Sequence, residues 1–207
     1  MPTDLTSLRE RLMEADEQAR ARGSVWDTLR RITRELDGLG VAYAVVGGIA
    51  LQHFGIKRST QDVDILLASP DDLKLVHERL VGHGYELKSA GSRHLRDAVT
   101  RVGIEFLVAG EYPGDGKPKP VRFPSPADAA DPSADGIAFV ALEPLIEMKL
   151  ASAKSAPQRI KDRSDVLELI HLLALPPSFA ERLDPYVRAD FLELAALPPP
   201  SERDEET

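Results

Sequence analysis

Two aspartates one residue apart, Asp62 and Asp64, open the stretch Asp62-Val63-Asp64-Ile65-Leu66-Leu67. Its aliphatic residues predict a strand, in which residues two apart point to the same face. Two carboxylates would then stand side by side, with Val63, Ile65 and Leu67 on the opposite, buried face. Like charges so placed repel unless a cation lies between them. All-oxygen donors suit hard ions such as Mg2+ or Mn2+. Two such ions, about 3.5–4 Å apart, can clamp the attacking and leaving oxygens of a phosphoryl transfer. The bland reading is the solvated face of an edge strand, although aspartate is disfavoured in strands. Glu105 bears on the choice. It interrupts the apolar run Val102-Gly103-Ile104-Glu105-Phe106-Leu107-Val108. An ionised carboxylate there is costly unless it is paired or holds a metal; otherwise it marks the solvent face of a twisted strand.

Gly47-Gly48 follows the apolar run Val41-Ala42-Tyr43-Ala44-Val45-Val46 and precedes a short helical stretch, Ile49–Phe54. Glycine lets backbone approach a ligand closely. The start of a helix offers free N–H groups and a positive dipole end, which suit a triphosphate. A Gly-Gly pair alone is more often a turn. Its distance from the aspartates is the stronger feature, since Asp62 lies fourteen residues after Gly48.

The combination resembles the signature of the polymerase-beta-type nucleotidyltransferase superfamily. That signature is a hydrophobic strand, Gly followed by Gly or Ser, a spacer, an Asp-hydrophobic-Asp pair and a third carboxylate on a later strand. The stretch Arg58-Ser59-Thr60-Gln61-Asp62-Val63-Asp64 is similar to a form found in stand-alone bacterial members, including AbiEii-type toxin nucleotidyltransferases. So is Leu145–Leu169, with Met148-Lys149-Leu150 and then Arg159 to Asp165. The resemblance spans about residues 40–170. It implies an α+β (α/β-like) fold, a mixed sheet flanked by helices with a helical C-terminal region. It also implies NMP transfer from an NTP to an acceptor hydroxyl on RNA, protein or a small molecule, and an antitoxin as partner. Asp62, Asp64 and Glu105 would hold Mg2+ and be catalytic. Gly47, Gly48, Arg58, Thr60, Lys149 and Asp165 would bind the nucleotide. Two departures stand out: Gly48 occupies a position where many members have Ser, and Glu105 one where many have Asp. They motivate an alternative, a nucleotide-binding regulatory module impaired in catalysis.

Several of these residues keep a second reading. Arg58 either reaches a phosphate or pairs with an acidic neighbour. Thr60 is a turn hydroxyl or a ligand contact. Lys149, among Leu145, Met148 and Leu150, either snorkels or meets phosphate. Asp165 matches an acidic position of the toxin-type relatives, or only pairs with nearby bases. Lys154, Arg159, Lys161 and Arg163 are either a solvated surface or a holder of phosphates or RNA. The five histidines (53, 77, 83, 94 and 171) lack metal-type spacing and read as solvated or locally bonded.

The elements that must position these residues follow from periodicity. Helices are expected over 4–21 and 24–38, the second from Trp26, Leu29, Ile32 and Leu36 with Gly38-Leu39-Gly40 ending it. A helix should start at Ser69-Pro70-Asp71-Asp72 and run to about Val81. Strands are expected over 84–89, 93–101, 103–108 and 137–141. Residues 110–136, rich in Pro, Gly, Asp and Ala, read as a long surface excursion. Helices over 142–155 and 162–174, a break at Pro176-Pro177 and a segment over 184–196 complete the pattern. The expected organisation is N-terminal helices (1–40), a nucleotidyltransferase core (41–141), a helical region (142–197) and a disordered acidic tail (198–207).

Composition sets outer bounds. The chain has 207 residues, 43% hydrophobic and 29% charged, with no cysteine, which excludes disulfides and thiolate metal sites. Its net charge of -8 argues against a protein that coats nucleic acid. No apolar run approaches the roughly 20 residues of a membrane helix, and the charged first residues are unlike a signal peptide. A cytoplasmic protein without membrane association is the expectation.

Overall fold

A computed structural model describes residues 23–133 and 135–199. The helix expected over 4–21 and nearly all of the acidic tail lie outside the described residues. The elements are α1 (23–39), β1 (Tyr43–Val46), α2 (Gly47–His53), β2 (Asp62–Leu67), α3 (Pro70–Leu80), β3 (Tyr85–Leu87), β4 (Leu95–Asp97) and β5 (Gly103–Val108). They continue with α4 (Pro126–Ala129), β6 (Ala130–Pro132), β7 (Ala138–Val140), α5 (Leu142–Ser155), α6 (Ile160–Leu172), a 3-10 turn (Pro177–Arg182) and α7 (Pro185–Ala195).

The strands form one seven-stranded mixed sheet in the order β3-β4-β5-β2-β1-β7-β6. β2 lies at its centre, antiparallel to β1 and parallel to β5. Central strands covered on both faces are apolar throughout, and β1 is buried at all four positions. Val63, Ile65, Leu66 and Leu67 are likewise fully buried, so polar side chains on β2 are confined to its first half. The fold class is α+β, as the sequence implied.

Helix α1 buries Leu29, Ile32 and Leu36 completely. Its polar edge reaches the rest of the chain through Trp26 to Gln52, Thr28 to Thr100 and Arg31 to Asp97. Ser69 caps α3 by accepting the Asp72 N–H at 3.1 Å, the expected role of a serine before a first-turn proline. α5 packs on α6, and α7 packs on both.

Two expectations need correction. The strand expected over 93–101 shortens to Leu95–Asp97, because the buried Asp97 carboxylate accepts the N–H groups of Val99 and Thr100 and turns the chain. Residues 110–136 are not a plain surface excursion. The chain doubles back so that the Gly110 N–H donates to the Phe123 carbonyl and the Phe123 N–H to the Glu111 carbonyl. Val121 is buried, and β6 then pairs with β7 as an edge strand. The smaller deviations, such as α6 starting at Ile160 rather than 162, are the usual uncertainty of helix ends.

Candidate active site

β1 ends at Val46 and α2 begins at once with Gly47, whose φ is +64°. A left-handed residue here turns the chain sharply away from the sheet, a conformation that favours glycine. The side chain matters as much as the dihedral, since a Cβ on Gly47 would run into the Asp64 carboxylate. Gly48 is constrained differently. A Cβ there would lie 2.7 Å from Thr60 Oγ1 and 2.9 Å from Thr60 Cβ. Thr60 thus fills the space that a residue-48 side chain would need, and brings a hydroxyl to it from the next strand's approach. That hydroxyl donates to the Asp62 carbonyl at 3.2 Å.

Asp62 and Asp64 lie on the more open face of β2, as the alternation predicted, while Val63 and Ile65 are buried. Asp64 is in register with Glu105 on parallel β5, and with Val46 on β1. Its carboxyl is pushed up to about 6, first by burial and then by the Glu105 charge, against a stabilising hydrogen bond from the Gly48 N–H. One N–H of the glycine step is therefore turned to Asp64. Asp62 is in register with Gly103, and a Cβ at 103 would collide with its carboxylate.

Glu105 is both paired and partly open: its side chain is 33% exposed on the more open face of β5. Lys88, just beyond β3, ion-pairs with it and stands 3.5 Å from Asp62 Oδ1. The Glu105 partner holds the Lys88 ammonium above its ordinary lysine value. His94 approaches Glu105 from the other side, Nε2 to Oε2 3.7 Å. Its Nδ1 accepts the Phe106 N–H at 3.0 Å, and burial holds the imidazole below its ordinary value. Sequence reasoning missed Lys88 and read His94 only as solvated or locally bonded. Both reach the site through strands whose neighbours are set by the sheet order.

A second cluster lies across the opening. Arg58 ion-pairs with Asp165. Lys149 does not snorkel; it is 9% exposed, with Nζ 2.6 Å from Asp165 and 3.2 Å from Asp162. Asp162 also accepts from Ser152 Oγ at 2.6 Å and pairs with Arg159 at 3.2 Å. The pairing readings of Arg58 and Asp165 are thus realised, on the wall of the cleft. Of the remaining bases, Lys154 pairs with Asp190 and Arg163 with Glu193; Lys161 lines the opening.

The two clusters face one cleft of about 890 Å³, a size typical of small-molecule and cofactor sites. Gly47, Gly48, Arg58, Thr60, Asp64, Glu105, Lys149 and Asp165 all line it. Asp62 is not among the residues that line it; its carboxylate lies 3.5 Å from Lys88 Nζ. Among the described residues, no three His, Asp or Glu side chains stand in an arrangement that would hold a metal ion by geometry alone. The donor chemistry fits a hard divalent ion nonetheless. Asp62 and Asp64 offer oxygen donors only, and a cation would offset both the burial and the Glu105 charge that raise the Asp64 carboxyl.

The chain is similar to several solved structures. A crystal structure of ANT(2")-Ia in complex with adenylyl-2"-tobramycin is similar at a TM-score of 0.50 and 15% identity, over 82% of this chain and 98% of that one. A solution structure of the antibiotic-resistance factor ANT(2'')-Ia gives 0.46 and 16%, over 75% of this chain and 91% of that one. An antigenic nucleotidyltransferase-like protein from Paracoccidioides brasiliensis gives 0.47 and 15%, over 74% of this chain and 78% of that one. The first of these defines the class: this chain has a nucleotidyltransferase-type fold. No family model and no curated protein matches the sequence. Among the described residues, no helix is long and apolar enough to cross a membrane.

Proposed function

We propose that this chain is a Mg2+- or Mn2+-dependent nucleotidyltransferase that moves NMP from an NTP to an acceptor hydroxyl. The observation that carries the reading is the position of Asp64. It is in register with Glu105, braced by the Gly48 N–H and open to a cleft walled by Arg58 and Lys149.

Asp62 and Asp64 would hold the divalent ion, which when bound supplies charge neutralisation at the phosphates. Gly47 and Gly48 bring bare backbone close to the triphosphate, and Thr60 offers its hydroxyl beside them. Arg58 and Lys149 face the phosphates across the cleft, oriented by Asp165. The acceptor oxygen attacks the α-phosphorus, the bond to the bridging oxygen breaks, and pyrophosphate departs with that electron pair. Glu105 helps to activate the acceptor hydroxyl. Positioning and fixed charge provide most of the acceleration. In this scheme residues 41–141 are the catalytic core, and residues 142–197 supply the cleft's second wall.

The acceptor class divides among RNA, protein and a small molecule. The similar crystal structure contains an adenylylated small molecule, adenylyl-2"-tobramycin, and we take a small-molecule hydroxyl as the first acceptor to test. The Arg58–Asp64 and Leu145–Leu169 resemblances extend the proposal to a toxin–antitoxin component in the cytoplasm. Co-purification with the neighbouring gene's product tests that extension. The core assay uses NTPs labelled at the α-phosphate with Mg2+ and each acceptor class in turn. Label transfer is expected, with loss of at least a hundredfold in Asp64→Ala; equal labelling by Asp64→Ala would sink the assignment.

One observation favours a second reading, a nucleotide-binding regulatory module without turnover: Glu105 is already engaged by Lys88. Calorimetry would then show NTP binding with no pyrophosphate released on any acceptor. Pyrophosphate release that depends on Asp64 excludes this reading.

A further inference from the structure

We propose that Lys88 is a built-in counter-cation of the carboxylate cluster, competing with a divalent ion for Asp62 and Glu105 and so weakening metal binding when no nucleotide is present. The inference rests on the metal-dependent reading above and adds a residue to it.

Lys88 follows β3, which is two strands away from β5 in the sheet. Its side chain nevertheless crosses β4 to reach Glu105 and stands 3.5 Å from Asp62 Oδ1. The gap it occupies is kept open by Gly103, where a Cβ would lie 3.3 Å from Lys88 Nζ and against the Asp62 carboxylate. Of the other basic residues around the cleft, Arg93 is engaged with Glu111, Arg58 and Lys149 with Asp165, and Arg159 with Asp162, while Lys161 lines the opening. His94 faces Glu105 with Nε2, its Nδ1 held by the Phe106 N–H. Lys88 is thus the ammonium that touches two of the three carboxylates.

Charge arithmetic gives the consequence. Three ionised carboxylates and one ammonium sum to -2, which a single divalent ion cancels. A second ion would have to displace Lys88 or arrive with its own negative charge, as an NTP provides. The Lys88 side chain is 31% exposed and Glu105 33%, so the ammonium has a path outward to solvent when an ion takes its place. An ammonium within a few ångströms repels an incoming divalent ion by an amount that solvent screening reduces but does not remove.

The test is Mn2+ titration of the full chain, followed by the paramagnetic resonance of free Mn2+. It compares the parent, Lys88→Met, Lys88→Gln, Lys88→Arg and Asp64→Asn, each with and without ATP carrying an α,β-methylene bridge. Without nucleotide, Lys88→Met and Lys88→Gln are expected to bind Mn2+ about tenfold more tightly than the parent, and Lys88→Arg to behave like the parent. With the nucleotide analogue, the gap between parent and Lys88→Met should narrow. Unchanged or weaker Mn2+ binding in both neutral variants overturns the proposal, and unfolding midpoints near the parent's establish that those variants are folded. If the parent binds Mn2+ with the analogue through Asp64 while the Lys88 variants match it throughout, only the role of Lys88 fails. If the parent and Asp64→Asn both fail to bind Mn2+ with or without the analogue, the metal-dependent function fails, and the Lys88 proposal with it.

Discussion

Gly48 and Thr60 occupy one side chain's space between them. In the resembling family a serine at the second glycine position would carry its hydroxyl on that residue; here a Cβ at 48 would lie 2.7 Å from Thr60 Oγ1. Gly48→Ser is therefore expected to overpack this corner and to destabilise the protein by about 1–3 kcal/mol. Combining it with Thr60→Gly should recover much of the loss. A urea-unfolding double-mutant cycle measures the coupling, and strictly additive effects would show that the two residues do not share the space. Asp64 makes a second prediction. Its carboxyl is raised from the ordinary value to about 6. A raised carboxyl holds its proton longer in the folded state than in the unfolded chain. Metal-free protein is then most favoured below the unfolded value, and it loses this contribution as pH rises through about 6. Asp64→Asn removes the penalty. In chelator, its stability advantage over the parent should grow by roughly 1–3 kcal/mol between pH 4 and pH 7.5. A gap that stays constant across that range would contradict the raised carboxyl. At this scale the sequence was informative: an aspartate pair, a glutamate in an apolar run and a glycine step are all visible as residue types out of place.

Elements decide which of those residues meet. The alternation along β2 was readable, because a period of two needs only the strand itself. The pairing of β2 with β5 was not, since two short strands and α3 intervene in the chain. For the same reason nothing in the sequence singled out Lys88; its approach to Glu105 exists only once β3, β4 and β5 lie side by side. Residues 110–136 misled because Pro and Gly signal turns but not what the turns pack against, and here they return the chain to the sheet edge. The helical side shows a like division. Met148-Lys149-Leu150 and the acidic position of Asp165 were legible, but not that α5 and α6 would be joined through them. Asp165 receives both Lys149 and Arg58, so its truncation takes that partner from the partly exposed Arg58 and leaves the buried Lys149 with Asp162 at 3.2 Å. Asp165→Ala is expected to cost about 3–5 kcal/mol, and Asp165→Asn less. Restoring stability by adding Lys149→Met to Asp165→Ala, read by denaturant unfolding, would identify the buried ammonium as the cause. No recovery in the double variant would place the cost elsewhere.

The whole molecule is a sheet with one open face end, closed off by the helices of its C-terminal half, and the cleft between them gathers both charge clusters. The net charge of -8 leaves little general attraction for polyanions, so a nucleotide must be held by local groups. Those groups come from distant parts of the chain: Gly47 and Gly48 after β1, Arg58 and Thr60 before β2, Glu105 in β5, Lys149 in α5 and Asp165 in α6. A ligand touching all of them ties the sheet to the helical region, and it can do so only in the folded state. Binding should then stabilise the fold as a whole. At a hundredfold excess over Kd the gain is about 2.7 kcal/mol, which for a chain of this length raises Tm by roughly 5–10 °C. Thermal unfolding with Mg2+ and each of the four NTPs should show that rise for at least one nucleotide. Lys149→Met should abolish it, although Lys149 is far from the aspartate pair in sequence. Asp64→Asn should abolish the Mg2+-dependent part alone. A rise that survives Lys149→Met would locate the nucleotide away from this cleft, and the two walls would then owe their charges to holding each other rather than a phosphate.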